Sequence, residues 1–249
     1  MGTLAPMEPL EISLDHGRVR VERVRTGWAL DLEGTADART THQGIEAGLD
    51  VIAKAGGGIA RLWARAEDPL VTDAGLALGF APERSLLQLR AELPIDRPFE
   101  LTTRAFVPGQ DERAWLEVNN RAFDWHPEQG GMTLDDVLRR EAEPWFDPAG
   151  FLLHEEDGVL LAFCWTKRHL DEEPPLGEIY AIAVDPEAHG RGLGTPMVLA
   201  GLDHLHRVDG LRWGMLYVDG SNEGARAVYA KLGFTTTRVD RSYTLEVAG

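Results

Sequence analysis

Apolar positions along the second half of the chain recur at two spacings, and the switches between them delimit elements. FELTTRAF, from Phe99, predicts a strand and DERAWLEVNNRAF a helix. After the loop WHPEQGG comes a second helix, TLDDVLRREAEPW, with Thr133 placed to cap it. Two apolar runs, GFLLHE and VLLAFCWTK, are joined by Asp157-Gly158, a strong signal for a two-residue hairpin turn. GEIYAIAV predicts a further strand, and Leu193, Met197, Leu202 and Leu205 mark related faces of the helix that follows. WGMLYVD is again strand-like. The next helix carries Ala225, Val228, Tyr229 and Leu232 at helical spacing and ends at Gly233, where a left-handed residue suits a helix terminus. RSYTLEV closes the chain as a strand.

The resulting order, β-α-α-β-β-β-α-β-α-β, predicts an α+β domain built on a mixed sheet. Pro94 and Pro98 bracket a stretch that reads as a linker, which divides the chain into residues 1–97 and 98–249. The first part repeats the end of the second in worn form. LALGF at 76–80 echoes AKLGF at 230–234, and ARLWARA echoes GMLYVDG, both at an offset of 154 residues.

Between GEIYAIAV and its helix lies a loop with Gly190, Gly192 and Gly194. Strand–glycine loop–helix junctions bring backbone N–H groups and a helix N-terminus to one place, which suits a phosphate. The chain has no GxxxxGK[ST] string for a nucleotide-triphosphate loop. Counted from Gly190, Thr195 stands where a dinucleotide fingerprint needs its last glycine.

Composition narrows the partners. The chain has 249 residues, is 43% hydrophobic and 27% charged, and carries a net charge of −16. No basic tract offers counterion release on a nucleic acid, and no apolar run reaches the roughly 20 residues needed to span a bilayer. The N-terminus lacks the basic start and apolar stretch of a secretory signal. Cys164 is the sole cysteine. A cytoplasmic protein, expected to be monomeric, follows. The negative charge suits solubility, and also attraction of a cationic amine. His204 and His206 do not share a helix face, and with no further Cys/His cluster no metal is expected.

The loop fits [QR]-x-x-G-x-[GA], with His189 in the first position and Gly192 and Gly194 in the small ones. Together with Asn222 and VYAKLGF downstream, it resembles the pyrophosphate loop of the GNAT acetyltransferases over the full second half. NNRAFDWHPEQGGMT, PWFDPAGFLL, FCWTK, GEIYAIAVDP and MLYVD narrow the resemblance to the mycothiol synthase family, spanning most of residues 100–247. His189 departs from the usual Gln or Arg. The resemblance implies a GNAT acyltransferase fold over the second half, preceded by a degenerate, truncated GNAT-like half. It implies acetyl transfer from acetyl-CoA to the cysteinyl amine of a glucosamine–inositol conjugate, the last step of mycothiol synthesis. It implies contacts to that conjugate at Glu128, Lys167, Glu178 and Tyr217. Acetyl-CoA contacts are implied at Ile182, Ala183 and Val184; along His189, Gly190, Arg191, Gly192, Leu193, Gly194 and Thr195; and along Asn222, Glu223, Gly224, Ala225, Arg226 and Ala227.

Such a transfer needs a base for the amine and an acid for the departing thiolate. Glu178, in a mostly apolar string, suits the base, through a water. Tyr217 is favoured as the acid, and Tyr229 is the position many GNAT enzymes use. In the first half, THQGIE at 41–46 falls where a matching pyrophosphate loop is expected, with Gly44 matching Gly192 and Glu46 opposing an anion. One acetyl-CoA site per chain follows. Two rival functions share the glycine loop: a GNAT enzyme for another amine, such as an aminoglycoside or polyamine, and a non-catalytic acetyl-CoA sensor.

Overall fold

Capping chemistry and chain length decide where the elements lie. The computed structural model describes residues 9–15, 17–24, 26–34, 37–124 and 130–249. It divides into one unit of Met1–Leu87, Asp219–Ser221 and Arg238–Gly249, and another of Gln88–Val218 and Asn222–Thr237. This differs from the expected boundary at residue 97. Two of the divisions fall inside long strands, β5 (Ala81–Glu92) and β11 (Thr235–Val247), because a strand of 12 or 13 residues can meet different neighbours at its two ends. The stretch read as a linker belongs to the second unit, where the Leu93 N–H donates to the Arg212 carbonyl at 2.8 Å.

In the first unit, β1 (Leu10–Ser13), β2 (Arg18–Val24) and β3 (Gly27–Glu33) pair antiparallel, and β4 (Gly58–Ala64) runs parallel to β3. Arg241–Val247 of β11 pair antiparallel with β4. Helix α1 (Ala38–Lys54) connects β3 to β4, and α2 (Pro69–Ala77) follows β4. The core gathers Trp28, Leu30, Ile45, Ile52 and Leu62. Thr41–Glu46 lie inside α1, so the expected phosphate loop there is corrected: the segment is regular helix. Gly44 serves packing, since a Cβ on it would come within 2.9 Å of Leu14 and Val19 side chains. Its role is close approach of helix to sheet.

The second unit holds β6 (Arg104–Ala105), α3 (Glu112–Ala122), α4 (Leu134–Glu141), β7 (Phe151–Glu156), β8 (Val159–His169), β9 (Leu176–Val184), α5 (Gly194–Arg207), β10 (Trp213–Asp219) and α6 (Glu223–Lys231). Strands β6 to β9 pair antiparallel in sequence and β10 pairs parallel with β9, the mixed sheet expected. FELTTRAF contributes only the two residues of β6. The Thr102 carbonyl instead accepts from His154 Nδ1 at 2.8 Å. Helix α4 starts at the Thr133 cap, in a reciprocal capping box with Asp136, and stops short because Pro144 disfavours helical backbone before it. Asp157 and Gly158 take φ of 51° and 77°, the paired positive values of the tight hairpin. Phe106, Trp115, Phe151, Phe163 and Trp165 fill the core, with Phe151 and Trp165 stacked at 4.4 Å.

One close contact seats the helix that follows the glycine loop. A Cβ on Gly201 would meet Cys164 Sγ at 2.4 Å, so glycine lets α5 lie directly on β8. Burial pushes the Cys164 thiol far up, which leaves it neutral. It is a packing residue.

Candidate active site

Helix α5 begins in a loop whose glycines leave its N-terminus uncovered. Gly190 and Gly192 have φ of 81° and 79°, a region L side chains rarely adopt. A Cβ built on Gly190, Gly192 or Gly194 would meet nothing within 4 Å. The loop is anchored on both sides. His189 Nε2 lies 3.2 Å from the Val184 carbonyl, and Arg191 pairs with Glu156 at 2.5 Å. Before the loop, buried Asp185 accepts from the Glu187 amide at 3.0 Å and pairs with Arg121. Burial alone would push its carboxyl up, but the Arg121 guanidinium and that amide hold it below the usual carboxylate range. Among the described residues, the N–H groups of Gly190, Gly192, Leu193, Gly194 and Thr195 have no acceptor. Five free amides at the head of a 14-residue helix attract an anion.

Those amides border a cavity of about 610 Å³, which also takes in Ile182–Val184 of β9, Phe123 after α3, and Asn222 and Tyr229. Asn222 caps α6 through Oδ1, which accepts from the Ala225 N–H at 3.0 Å. Within Asn222–Ala227 only Asn222 and Ala225 line the cavity; Glu223, Gly224, Arg226 and Ala227 do not, nor does Arg191. Tyr229 does, and burial pushes its phenol well above the usual range.

A second group of residues assembles beside this cavity on β8, β9 and β10. Register places Lys167 opposite Glu178, and Glu178 opposite Met215. Facing residues of paired strands share a side of the sheet, and Tyr217, two residues beyond Met215, shares it too. Glu178 is only 7% exposed. Its Oε2 lies 2.6 Å from His169 Nε2. Its Oε1 has no partner among the described residues and is not sealed from solvent. Lys167, although opposite, makes no ion pair with it: the ammonium sits 4.5 Å from the Trp145 ring and 5.7 Å from that of Tyr180. The carboxylate therefore keeps one oxygen for a ligand.

Tyr180 has no partner on β8, where the register jumps from Trp165–Ala181 to Thr166–Ile179. The β9–β10 pairing ends at Ile179–Leu216, one residue before this bulge. Among the described residues, β9 beyond it has no register partner on β10, at the strand end that leads into the cavity. Glu178 lies about 13 Å along β9 from Ile182, at the usual rise per residue, so a ligand reaching both must be long and thin. Tyr217 is outside the cavity wall, and its hydroxyl accepts from Gln88 Nε2 at 2.8 Å. Glu128 lies outside the described residues.

Two further residues, His169 and Gln88, contact the predicted site residues. His169 follows Lys167 by two in a strand, so alternation alone places it on the same face. Gln88 stands 129 residues from Tyr217, and no local pattern links them.

Comparison with known proteins identifies the fold and the family. The model of the acetyltransferase (GNAT) family matches residues 113–234. The mycothiol acetyltransferase of Thermobispora bispora is 46% identical over 205 residues, covering 78% of this chain and 68% of that protein. That of Acidimicrobium ferrooxidans is 49% identical, covering 72% of this chain and 59% of that protein. The chain spans about six tenths of the length of several curated relatives that it matches. Among solved structures, a GCN5-related N-acetyltransferase from Sphaerobacter thermophilus superimposes with a TM-score of 0.77 at 22% identity, covering 94% of this chain and 78% of that one. A tandem GNAT protein from the clavulanic acid biosynthesis pathway does so with a TM-score of 0.68 at 16% identity, over 94% of this chain and 80% of that one. With a GNAT fold around a helix N-terminus free for an anion, and with sequence identity of this extent, the chain belongs to the mycothiol acetyltransferase family.

Proposed function

We propose that the chain transfers acetyl from acetyl-CoA to the cysteinyl amine of desacetylmycothiol, completing mycothiol. The observation that carries the reading is the pairing of two features along one strand. A loop of unpartnered amides lies at one end of β9, and a buried carboxylate with one free oxygen lies near the other. The cavity suits acetyl-CoA on this chain's own terms. Its amides point to an anion, its glycines leave room for one, and β9 beyond the bulge, with no register partner on β10 among the described residues, suits an extended arm. When bound, acetyl-CoA would supply an acetyl group activated as a thioester.

Within this reading the free amides of Gly190 and of Gly192 to Thr195 hold the pyrophosphate. Glu178 Oε1 takes the proton of the acceptor ammonium, directly or through a water, while His169 holds Oε2 and so fixes the carboxylate plane. Lys167, withheld from Glu178 by Trp145 and Tyr180, remains available to the hydroxyl-rich conjugate. The acid is assigned to Tyr229 in preference to Tyr217. Tyr229 lines the cavity and keeps its proton until charge develops beside it, whereas Tyr217 lies outside the wall and faces the acceptor side with Glu178. In the first unit the Asp37 carboxylate caps α1, so no second acetyl-CoA site is expected there.

The test is acetyl transfer to desacetylmycothiol against a panel of aminoglycosides and polyamines. Product is followed by mass spectrometry, because the acceptor carries a thiol of its own. A strong preference for the conjugate is expected. Equal or better turnover of another amine would replace the substrate, and acetyl-CoA binding without transfer to any amine would make the protein a sensor.

A further inference from the structure

We propose that Gln88 is a positioning residue that fixes the Tyr217 hydroxyl as a hydrogen-bond donor toward the acceptor molecule. The inference rests on the reading of Tyr217 as an acceptor contact and adds the polarity of that contact. Gln88 lies on β5 and is only 6% exposed. Its Oε1 is approached by Arg90 Nε at 3.0 Å and by Thr237 Oγ1 at 3.1 Å. A guanidinium has donors and no acceptor, so the amide end facing Arg90 must be the oxygen. The –NH2 end then faces Tyr217, 2.8 Å from its hydroxyl oxygen.

That orientation has a consequence for the phenol. An amide –NH2 can only donate, so the Tyr217 oxygen accepts and its single proton must point elsewhere. Tyr217 is 38% exposed, and it shares the sheet face that carries Glu178 and Lys167. Its proton is therefore offered on that face. The group it suits is an acceptor of hydrogen bonds, an amide carbonyl or sugar hydroxyl oxygen of the conjugate, and not its ammonium. Proton removal from the ammonium falls to Glu178 alone, and Tyr217 orients the molecule that carries it.

The test compares Gln88→Glu, Gln88→Leu and Tyr217→Phe. A glutamate is nearly isosteric and pairs well with Arg90, but its second oxygen accepts from Tyr217 and turns the proton inward. Gln88→Glu should raise the KM for the acceptor about ten-fold, the usual scale of one lost hydrogen bond. It should match Tyr217→Phe, add nothing to it in the double variant, and leave acetyl-CoA affinity unchanged. Gln88→Leu frees the hydroxyl to rotate and should cost less. A merely structural Gln88 predicts the opposite ranking, with the isosteric glutamate milder than leucine, and that ranking would overturn the proposal. Infrared difference spectra between each protein and its Tyr217→Phe counterpart read the phenol C–O stretch directly. The band should shift in Gln88→Glu, and an unmoved band would overturn the assigned polarity whatever the kinetics. A shifted band with Tyr217→Phe at wild-type acceptor KM would instead overturn the reading of Tyr217 as a contact.

Discussion

Glu178, proposed as the base, keeps one carboxylate oxygen unpartnered among the described residues although Lys167 lies opposite it on the neighbouring strand. Cross-strand Lys–Glu neighbours ordinarily pair, yet here the Lys167 ammonium rests against Trp145 and Tyr180, and Arg140 Nε is engaged by the Tyr180 hydroxyl at 2.9 Å. Glu178→Gln should lower turnover by about 10²–10⁴ at neutral pH, the usual contribution of a general base. The deficit should shrink as pH rises and free amine becomes abundant. Steady-state rates from neutral to alkaline pH check this, and a small or flat deficit removes Glu178 as the base. The roles proposed for the two tyrosines predict different kinetic effects. Tyr229→Phe should reduce kcat more than Tyr217→Phe, which should act mainly on the KM of the acceptor. Both changes keep the ring, so packing loss is modest in each. The reverse ranking in kcat would return the acid to Tyr217.

Helices α5 and α1 differ in how their first amides are capped, and the proposed anion site at α5 turns on that difference. Helices α2 and α6 begin at Pro69 and Glu223, and β5 and β11 at Ala81 and Thr235, 154 residues apart in each case. In each unit a parallel strand pair brackets a helix, β3–α1–β4 and β9–α5–β10. At α5 the first amides are free; at α1 the Asp37 carboxylate caps the helix, accepting from the Thr40 N–H at 2.8 Å. A carboxylate already fills the place an anion would take and repels a second one. Gly192→Asp would bring the same chemistry to α5. Aspartate tolerates positive φ better than most residues, so the fold should persist while acetyl-CoA binding is lost. Calorimetry on a variant with wild-type circular dichroism tests it, and unchanged affinity would remove the loop assignment. The ion pair of Asp185 with Arg121 links the end of α3 to the loop. Its folded carboxyl lies below the unfolded value of about 3.9, so its stabilisation is present above that pH and is lost as pH falls through the folded value. Arg121→Gln should therefore cost about 1–2 kcal/mol at neutral pH, scaled down from a fully buried pair because Arg121 is half exposed. In urea unfolding the difference from wild type should shrink toward pH 3, and a pH-independent difference would exclude this linkage.

For the molecule as a whole the expected stoichiometry is one acetyl-CoA per chain. Calorimetric titration should give a single binding event that Gly192→Asp abolishes, and a second comparable event surviving that change would place a site in the first unit. Much of this was readable along the chain. Hydrophobic period, the Thr133 cap, Asp157-Gly158 and the helix-ending Gly233 are local signals, and each acts over a few residues, so strand and helix identity from α3 to α6 follows from sequence alone. The glycine loop was legible for the same reason, since its chemistry is backbone conformation. The short β6, the α1 helix running through Thr41–Glu46 and the division of β5 and β11 were not. Each depends on which partner a segment meets: the Thr102 carbonyl taken by His154, Gly44 pressed on Leu14 and Val19, a long strand with different neighbours at its ends. The site divides along the same line. Glu178, Lys167 and the loop glycines could be named from strings of adjacent residues. The free oxygen on Glu178, the ammonium drawn to Trp145 and the hydroxyl turned by Gln88 arise from side chains far apart in sequence, because hydrogen bonds and cation–π contacts are set by distances in space that only the folded sheet brings within reach.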